Sequence, residues 1–379
     1  MKKKLLFLVS HASFFISHRL QIAKSAKKNG YEVIIVFGEI DVDIKTLKEI
    51  DINYFCIPIQ RGGTNFFKDI KSLYFIWSIF KKIKPDIVHL VTIKPYLYGG
   101  IIARIVKIPC VVSAVSGLGS LFIQQNLISR FLRLLLYPFF RLAFNHLNQK
   151  IIVQNKEDEK ELIKWGVLNP IKVKLLKGSG VNLENFTSFD ELTETPVVCF
   201  AARLLRDKGV NDFVSAAQLL NERGVKAKFY LAGDLDINNP TSLTRDDLNK
   251  IRKKGYIKIL GYQKDIPKLY ANSHIICLPS YREGMPKSLV EAAAASRAVV
   301  TTDVPGCRDA IIPNETGLLV PIKNPKKLAD ALQRLIEHPQ ERIAMGKAGR
   351  KFAEKEFPIE KIVQNHLDIY KDLLRSSSI

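Results

Sequence analysis

Twice along the chain, short apolar runs bounded by turn signals alternate with helical patterns, and a polar break separates the two series. The first series reads KLLFLVS, YEVIIVFG, NYFCIPI, DIVHLV, CVVSAV, KIIVQN and KVKLL; the second reads VVCFAAR, KFYLAG, IKILGY, HIICLPS, AVVTTDV and TGLLV. Short runs that are apolar at nearly every position suit strands buried on both faces, and strands spaced by helices pair in parallel. Two α/β domains follow. Residues 182–196, NLENFTSFDELTETP, are polar and end in Pro196, which suits a linker. The 379 residues also exceed what one core usually organises. The expected division is 1–185 for a first α/β domain, 186–357 for a second, and 358–379 for a final amphipathic helix packing back toward the first domain. Ligands of open α/β sheets bind at the carboxyl ends of the strands, so the two domains should face each other across a cleft.

Charge narrows the partners. Lys and Arg number 58 against 37 Asp and Glu, a net +21 that calls for anionic partners. Residues 61–150 hold 13 basic and two acidic residues, and no acid occurs between Asp86 and Glu157. Within this stretch, FFKDIKSLYFIWSIFKKIK and LISRFLRLLLYPFFRLAF mix large apolar side chains with Lys and Arg, a composition that suits the plane of an anionic membrane. The same periodicity suits core helices with solvated basic edges, and the two readings hold together if they apply to different faces. No uninterrupted apolar run reaches the roughly 20 residues needed to span a bilayer, so any association is expected to be peripheral. The opening MKKKLLFLVSHASFFISHRL imitates a signal peptide, but Ser10, His11, Ser17, His18 and Arg19 interrupt it, and a buried first strand fits better. Cys56, Cys110, Cys199, Cys277 and Cys307 are widely spaced and read as reduced core thiols of a cytoplasmic protein. No nucleic-acid-binding module accompanies the charge, so nucleic acid is not an expected partner.

The second series carries the residues suited to chemistry. Arg203 ends VVCFAAR, and Lys208 follows in the loop before GVNDFVSAAQLL. Both cations fall at the carboxyl edge of the sheet, where Arg can fork to two phosphate oxygens and Lys can add a point charge. HIICLPS leads into the loop YREGMPKS and the helix SLVEAAAAS, which place Glu283 in the loop and Glu291 on the helix. Pro286 suits the first helical turn, and Gly284 lets a ligand approach the open N–H groups there. Carboxylates beside such an anion site can accept hydrogen bonds from sugar hydroxyls. Asp41-Val-Asp43 and Asp234-Leu-Asp236 fit the DxD signature of metal-dependent transferases, but convergent oxygen ligands for a metal are not identifiable, so neither metal nor cofactor is expected.

RLLRDKGVNDFVSAA, YLAGD, LGYQKDIPKLYANSHIICLPSYREGMPKSLVEAAA and TTDVPGCRDAIIPNETGLLVP resemble the donor half of family 4 of the retaining glycosyltransferases. The resemblance implies the GT-B fold, two Rossmann-like domains. It also implies that Arg203 and Lys208 hold the donor diphosphate, that Glu283 contacts the donor sugar and that Glu291 contacts the ribose. Gly284, Met285 and Pro286 would line the donor, with Tyr262 in the base-pocket loop between Gly261 and Asp265. SHASFFISHRLQIAKSAKKNGYEV, VHLVTIKPYLYGGIIARIVKIPCVVSAVSGLGSLF and LLKGSGVNLENF are similar to the branch that extends saccharides on undecaprenyl diphosphate, including bacterial α-1,3-N-acetylgalactosaminyltransferases. Where many members have a glycine pair this chain has His11, Ala12 and Ser13, and where many carry a cleft His it reads Val115, Ser116, Gly117. No histidine is therefore given a catalytic role, while His11, Ser13, His18, Arg19 and Ser116 stand as acceptor-side candidates. The implied partners are a UDP-sugar, a polyprenyl-diphosphate-linked saccharide and the anionic inner face of the cytoplasmic membrane. The alternatives are a nucleotide-sugar epimerase of the same fold and a non-catalytic membrane or nucleic-acid-binding protein.

Overall fold

The computed structural model describes residues 2–59, 66–118, 127–187, 195–236 and 239–377; most of the expected linker, 188–194, lies outside them. The chain divides into one unit of Met1–Ser179 with Lys361–Ile379 and a second of Gly180–Glu360.

Unit 1 holds a parallel sheet of β1 (Lys4–His11), β2 (Glu32–Glu39), β3 (Asn53–Cys56), β4 (Ile87–Val91), β5 (Cys110–Val115), β6 (Gln149–Val153) and β7 (Val173–Leu175), in the order β3-β2-β1-β4-β5-β6-β7. β1 shows why its apolar run is nearly continuous. Leu5, Phe7 and Val9 face one core with the helices Leu20–Lys28 and Ile359–Ser376, while Leu6 and Leu8 face the other with Phe66–Ile83, Ile93–Ile105 and Leu127–Ala143. Both faces are therefore buried, and polar alternation has no place there.

Unit 2 repeats the plan with β8 (Val197–Ala201), β9 (Lys228–Ala232), β10 (Ile257–Gly261), β11 (Ile275–Leu278), β12 (Ala298–Thr302) and β13 (Gly317–Val320), ordered β10-β9-β8-β11-β12-β13. Each sheet reverses direction beside its first strand, between β1 and β4 and between β8 and β11. At such a switch point the loops diverge and leave a crevice at the carboxyl ends of the strands.

Two helices of unit 1 are apolar on more than their inner faces. Leu127–Ala143 buries Phe140 and Ala143 but leaves Leu127, Phe131, Leu134, Leu135, Phe139 and Leu142 exposed; Phe66–Ile83 buries Ile76 and Phe80 and exposes Phe67, Ile70 and Tyr74. No helix among the described residues is long and apolar enough to cross a membrane. Four cysteines are buried as expected, whereas Cys56 is exposed at the end of the edge strand β3, because that strand has a neighbour on one side only.

Candidate functional site

At the switch point of unit 2, the loop after β8 and the loop after β11 are stitched together. Lys208 closes the short 3-10 turn Arg206–Lys208, and its Nζ meets Glu283 Oε1 across the two loops. Gly209 follows with φ 75°, and a Cβ there would lie 1.9 Å from the carbonyl oxygen of Pro279, so the close approach of the loops requires glycine. The Asp207 carbonyl accepts from the Tyr281 N–H at 2.9 Å and from Ser280 Oγ at 3.1 Å. From the other side, Thr302 Oγ1 donates to the Ser280 carbonyl, and the Glu283 N–H donates to Pro305 O at 3.3 Å. Gly306, with φ 78°, lets its loop press against Gly284, whose carbonyl oxygen would stand 2.4 Å from an added Cβ.

One side-chain pair beside these loops has no counterpart in the sequence reading. Tyr281 stands against the Asp212 carboxylate, which rises from the first turn of the helix Val210–Glu222 and whose Oδ2 is buried. Burial pushes the Asp212 carboxyl up, against the opposing pull of the Tyr281 hydroxyl, while burial and the facing carboxylate push the Tyr281 phenol up to about 12. Lys323 Nζ lies 5.5 Å from the Tyr281 ring centroid. Asp212 and Tyr281 are far apart in sequence, and neither lies in a pattern that marks it.

Arg203 stands beside this pair of loops with 49% of its side chain exposed, and Nη1 donates to Asp236 Oδ2 at 2.7 Å. Asp236 belongs to the second acidic triplet, so here that carboxylate holds the arginine. Asp41 of the first triplet accepts from Ser13 N–H at 2.8 Å, and Asp43 caps the helix Ile44–Lys48. Pro286 is the N-cap of the helix Lys287–Ala294 and not part of its first turn: its ψ of 115° is extended, and its carbonyl receives the Leu289 N–H. No side chain caps this helix, and the Glu283 loop leads directly into it. Met285 and Gly284 are buried beneath the loop. Glu291 lies on the same helix with its side chain 13% exposed and 3.3 Å from Lys287 Nζ. Burial pushes the Glu291 carboxyl up, and Lys287 opposes that shift. Tyr262 projects from the turn after β10 and is exposed.

The acceptor-side candidates differ in their surroundings, and His11 and Arg19 are both buried. His11 ends β1, and Ser13 and His18 lie on the helix Ala12–His18, where the His18 ring stacks on Phe14 at 4.1 Å between centroids. Ser116 follows β5, with its hydroxyl buried. Arg19 departs from the expectation. It is 2% exposed, enclosed with His89, His366 and Tyr370, and burial lowers its guanidinium to about 10. The chain turns inward at Arg19 because it connects two helices that pack against β1, so this residue supports the interior and not a surface. Ser10 Oγ and Thr92 Oγ1, 2.5 Å apart, bridge the carboxyl ends of β1 and β4. Thr92 holds φ 76° and ψ 163°, a region that β-branched residues avoid.

Residues 4–155 match the model of the family described as glycosyl transferase 4-like, and residues 182–352 match that described as glycosyl transferases group 1. The N,N'-diacetylbacillosaminyl-diphospho-undecaprenol alpha-1,3-N-acetylgalactosaminyltransferase of Campylobacter jejuni is 28% identical to the chain, over 97% of the chain and 98% of that protein. The UDP-Gal:alpha-D-GlcNAc-diphosphoundecaprenol alpha-1,3-galactosyltransferase of Escherichia coli is 26% identical, over 85% and 84%. Among solved structures, Anabaena HepE in complex with UDP and glucose superposes with a TM-score of 0.79 at 17% identity, covering 97% of this chain and 99% of that one. These likenesses give no support to the epimerase alternative.

Proposed function

Because each half of this chain matches a glycosyl transferase model and the chain is a glycosyltransferase of the GT-B fold, we propose that it moves a hexose or N-acetylhexosamine, GalNAc or GlcNAc, from a UDP-sugar to a polyprenyl-diphosphate-linked saccharide, with retention of configuration. The observation that carries this reading is the meeting of Lys208 and Glu283 across the switch point of unit 2, with Arg203 and an uncapped helix N-terminus beside them. Two relatives whose names specify diphospho-undecaprenol substrates, matched over most of the chain, support the acceptor class.

In this mechanism Arg203, Lys208 and the opening N–H groups of Lys287–Ala294 receive the diphosphate and stabilise the charge that grows on it as the glycosidic bond breaks. Such groups act best when they are already oriented, because no reorganisation is then needed at the moment of reaction. The Lys208–Glu283 pair supplies that orientation. Donor entry shares the ammonium with phosphate and frees Glu283 to accept a hydroxyl of the donor sugar. Glu291 serves the ribose, and Tyr262 serves the base. The departing phosphate, on the face where the acceptor attacks, takes the acceptor proton. His11, Ser13, His18 and Ser116 are the residues of unit 1 proposed to meet the acceptor. The basic, outward apolar faces of Phe66–Ile83 and Leu127–Ala143 favour peripheral attachment to the inner face of the cytoplasmic membrane.

The test is a panel of UDP-sugars assayed against short synthetic polyprenyl-diphosphate saccharides, with product linkage read by NMR. Transfer with an α-linkage from an α-linked donor is the expected outcome. Turnover of the nucleotide sugar that is indifferent to acceptor refutes the reading.

A further inference from the structure

Along the amino edge of the first sheet, opposite the carboxyl ends that carry the acceptor-side candidates, three apolar side chains stand in solvent among cations. Ile105 closes the helix before β5, Leu147 lies in the loop before β6, and Ile171 precedes β7; they are 62%, 96% and 82% exposed. Arg104 Nη1 donates to the Asn145 carbonyl at 2.9 Å, Lys172 Nζ to the His146 carbonyl at 2.6 Å, and Lys150 Nζ to the Ile171 carbonyl at 3.3 Å. The three cations thereby clasp the backbone on which Leu147 and Ile171 are mounted, and hold both tips outward.

Charge at this edge lacks compensation. The Lys172 ammonium is lowered first by burial and then by Arg104 and Lys150. Burial also lowers the His146 imidazole, against two backbone hydrogen bonds that raise it, and Lys172 and Arg104 lower it further. Among the described residues no carboxylate pairs with Arg104, Lys150 or Lys172, in keeping with the acid-free stretch between Asp86 and Glu157. A cluster of like charges fixed this closely favours an anion in its midst. Isolated apolar tips ringed by cations are the reverse of a protein interface, where the centre is apolar and depleted of charge. They match the headgroup region of an anionic bilayer, where phosphates meet the first methylenes. The patch also continues the outward face of Leu127–Ala143, whose last turn exposes Arg141 and Leu142.

We propose that this edge is a further membrane-contact surface, in which Leu147 and Ile171 enter the headgroup layer of an anionic bilayer and Arg104, Lys150 and Lys172 engage its phosphates. The inference rests on the peripheral-membrane reading above and adds to it a second anchoring point. Each cation close to an anionic surface contributes about fivefold in partitioning, so the three together outweigh either apolar tip.

Co-sedimentation of the full chain with vesicles of phosphatidylglycerol and phosphatidylcholine, and with phosphatidylcholine alone, tests it. Leu147→Glu with Ile171→Glu is the probe, because both side chains are solvated and their replacement leaves packing untouched. Partitioning onto the anionic vesicles is expected to fall about tenfold or more, while turnover of a short water-soluble acceptor is unchanged. Arg130, Arg133 and Arg141 changed together to Glu serve as the reference for the helix. If that triple variant is released while the double variant binds like the parent, this edge is not a contact and the helix reading stands alone. A parent chain that ignores anionic vesicles overturns both readings. Displacement by millimolar inorganic phosphate with no effect of the double substitution would identify a free-anion site and overturn the lipid assignment.

Discussion

The two sheets share one strand order around their switch points, yet the loops there are built differently. In unit 2 the crevice is bound by charge: Lys208 meets Glu283, Arg203 meets Asp236, and the backbones between them approach so closely that Gly209 and Gly306 tolerate no side chain. In unit 1 the corresponding strands, β1 and β4, are bridged by two hydroxyls, Ser10 and Thr92, with Thr92 in a backbone region normally left to glycine. One topology supplies the crevice in both units, and the side chains decide what it can receive. Fixed opposite charges suit a diphosphate and a sugar. Hydroxyls suit a neutral or hydroxyl-rich group. Charge in unit 1 is displaced instead to the outward helix faces and the amino edge.

The largest expected effect falls on the charged crevice. Lys208→Ala, Arg203→Ala and Glu283→Ala should each lower transfer by on the order of 10²-fold or more with the fold retained, since each removes a preorganised contact to the leaving group or sugar. Steady-state kinetics with circular dichroism decides this, and near-parental turnover in all three would remove the distinction between the two crevices. A second effect belongs to unit 1. There His366 is held at about 3 against an ordinary 6.5, first by burial and then by Arg19, while the Ile362 carbonyl opposes the shift; His89, stacked on it, is lowered well below 6.5 by burial, His366 and Arg19. Between these values the unfolded chain binds a proton that the folded chain does not, so stability is full above pH 6.5 and declines on acidification toward pH 3. His366 alone should cost about 2 kcal/mol between pH 6.5 and pH 5. Thermal unfolding across that range should show the loss, and His366→Phe should reduce it to the part that His89 contributes; a parent whose midpoint is constant would contradict the assignment.

Smaller still is the effect of the Tyr281 hydroxyl. Tyr281→Phe should reduce kcat about tenfold, as expected when a buried carboxylate loses the hydroxyl that stands against it, and leave UDP affinity near the parental value. Asp212→Asn, which keeps an acceptor for the hydroxyl, should retain most of the parental rate. A fall in melting temperature with unaltered kcat would reduce the pair to a structural role. Least of all should be the response to a chelator. Arg203, Lys208 and a helix N-terminus neutralise the diphosphate in the proposed mechanism, so activity should stay within about twofold of the parent in excess EDTA. Loss restored by Mg²⁺ or Mn²⁺ would instead assign the acidic triplets a metal.

Much of this was legible in the chain itself. Strands buried on both faces must be apolar at almost every position, so the inner strands of both sheets stand out as runs, and helices between them force parallel pairing. The places of Arg203, Lys208 and Glu283 at strand-to-helix junctions, and of Glu291 on the helix that follows, were legible because that local context is written in consecutive residues. Pairings over long separations were not. Asp212 with Tyr281, Asp236 with Arg203 and Thr302 with Ser280 meet only once β8, β9, β11 and β12 lie side by side. Arg19 shows the same limit from the other side. Its sequence neighbours include His18 and Gln21, which suit a surface, but its neighbours in space are His89 from β4 and His366 and Tyr370 from the last helix, which enclose it. Apolar periodicity and strand-end chemistry are local properties that a sequence states outright, whereas desolvation and partner choice depend on what the fold brings within a few ångströms.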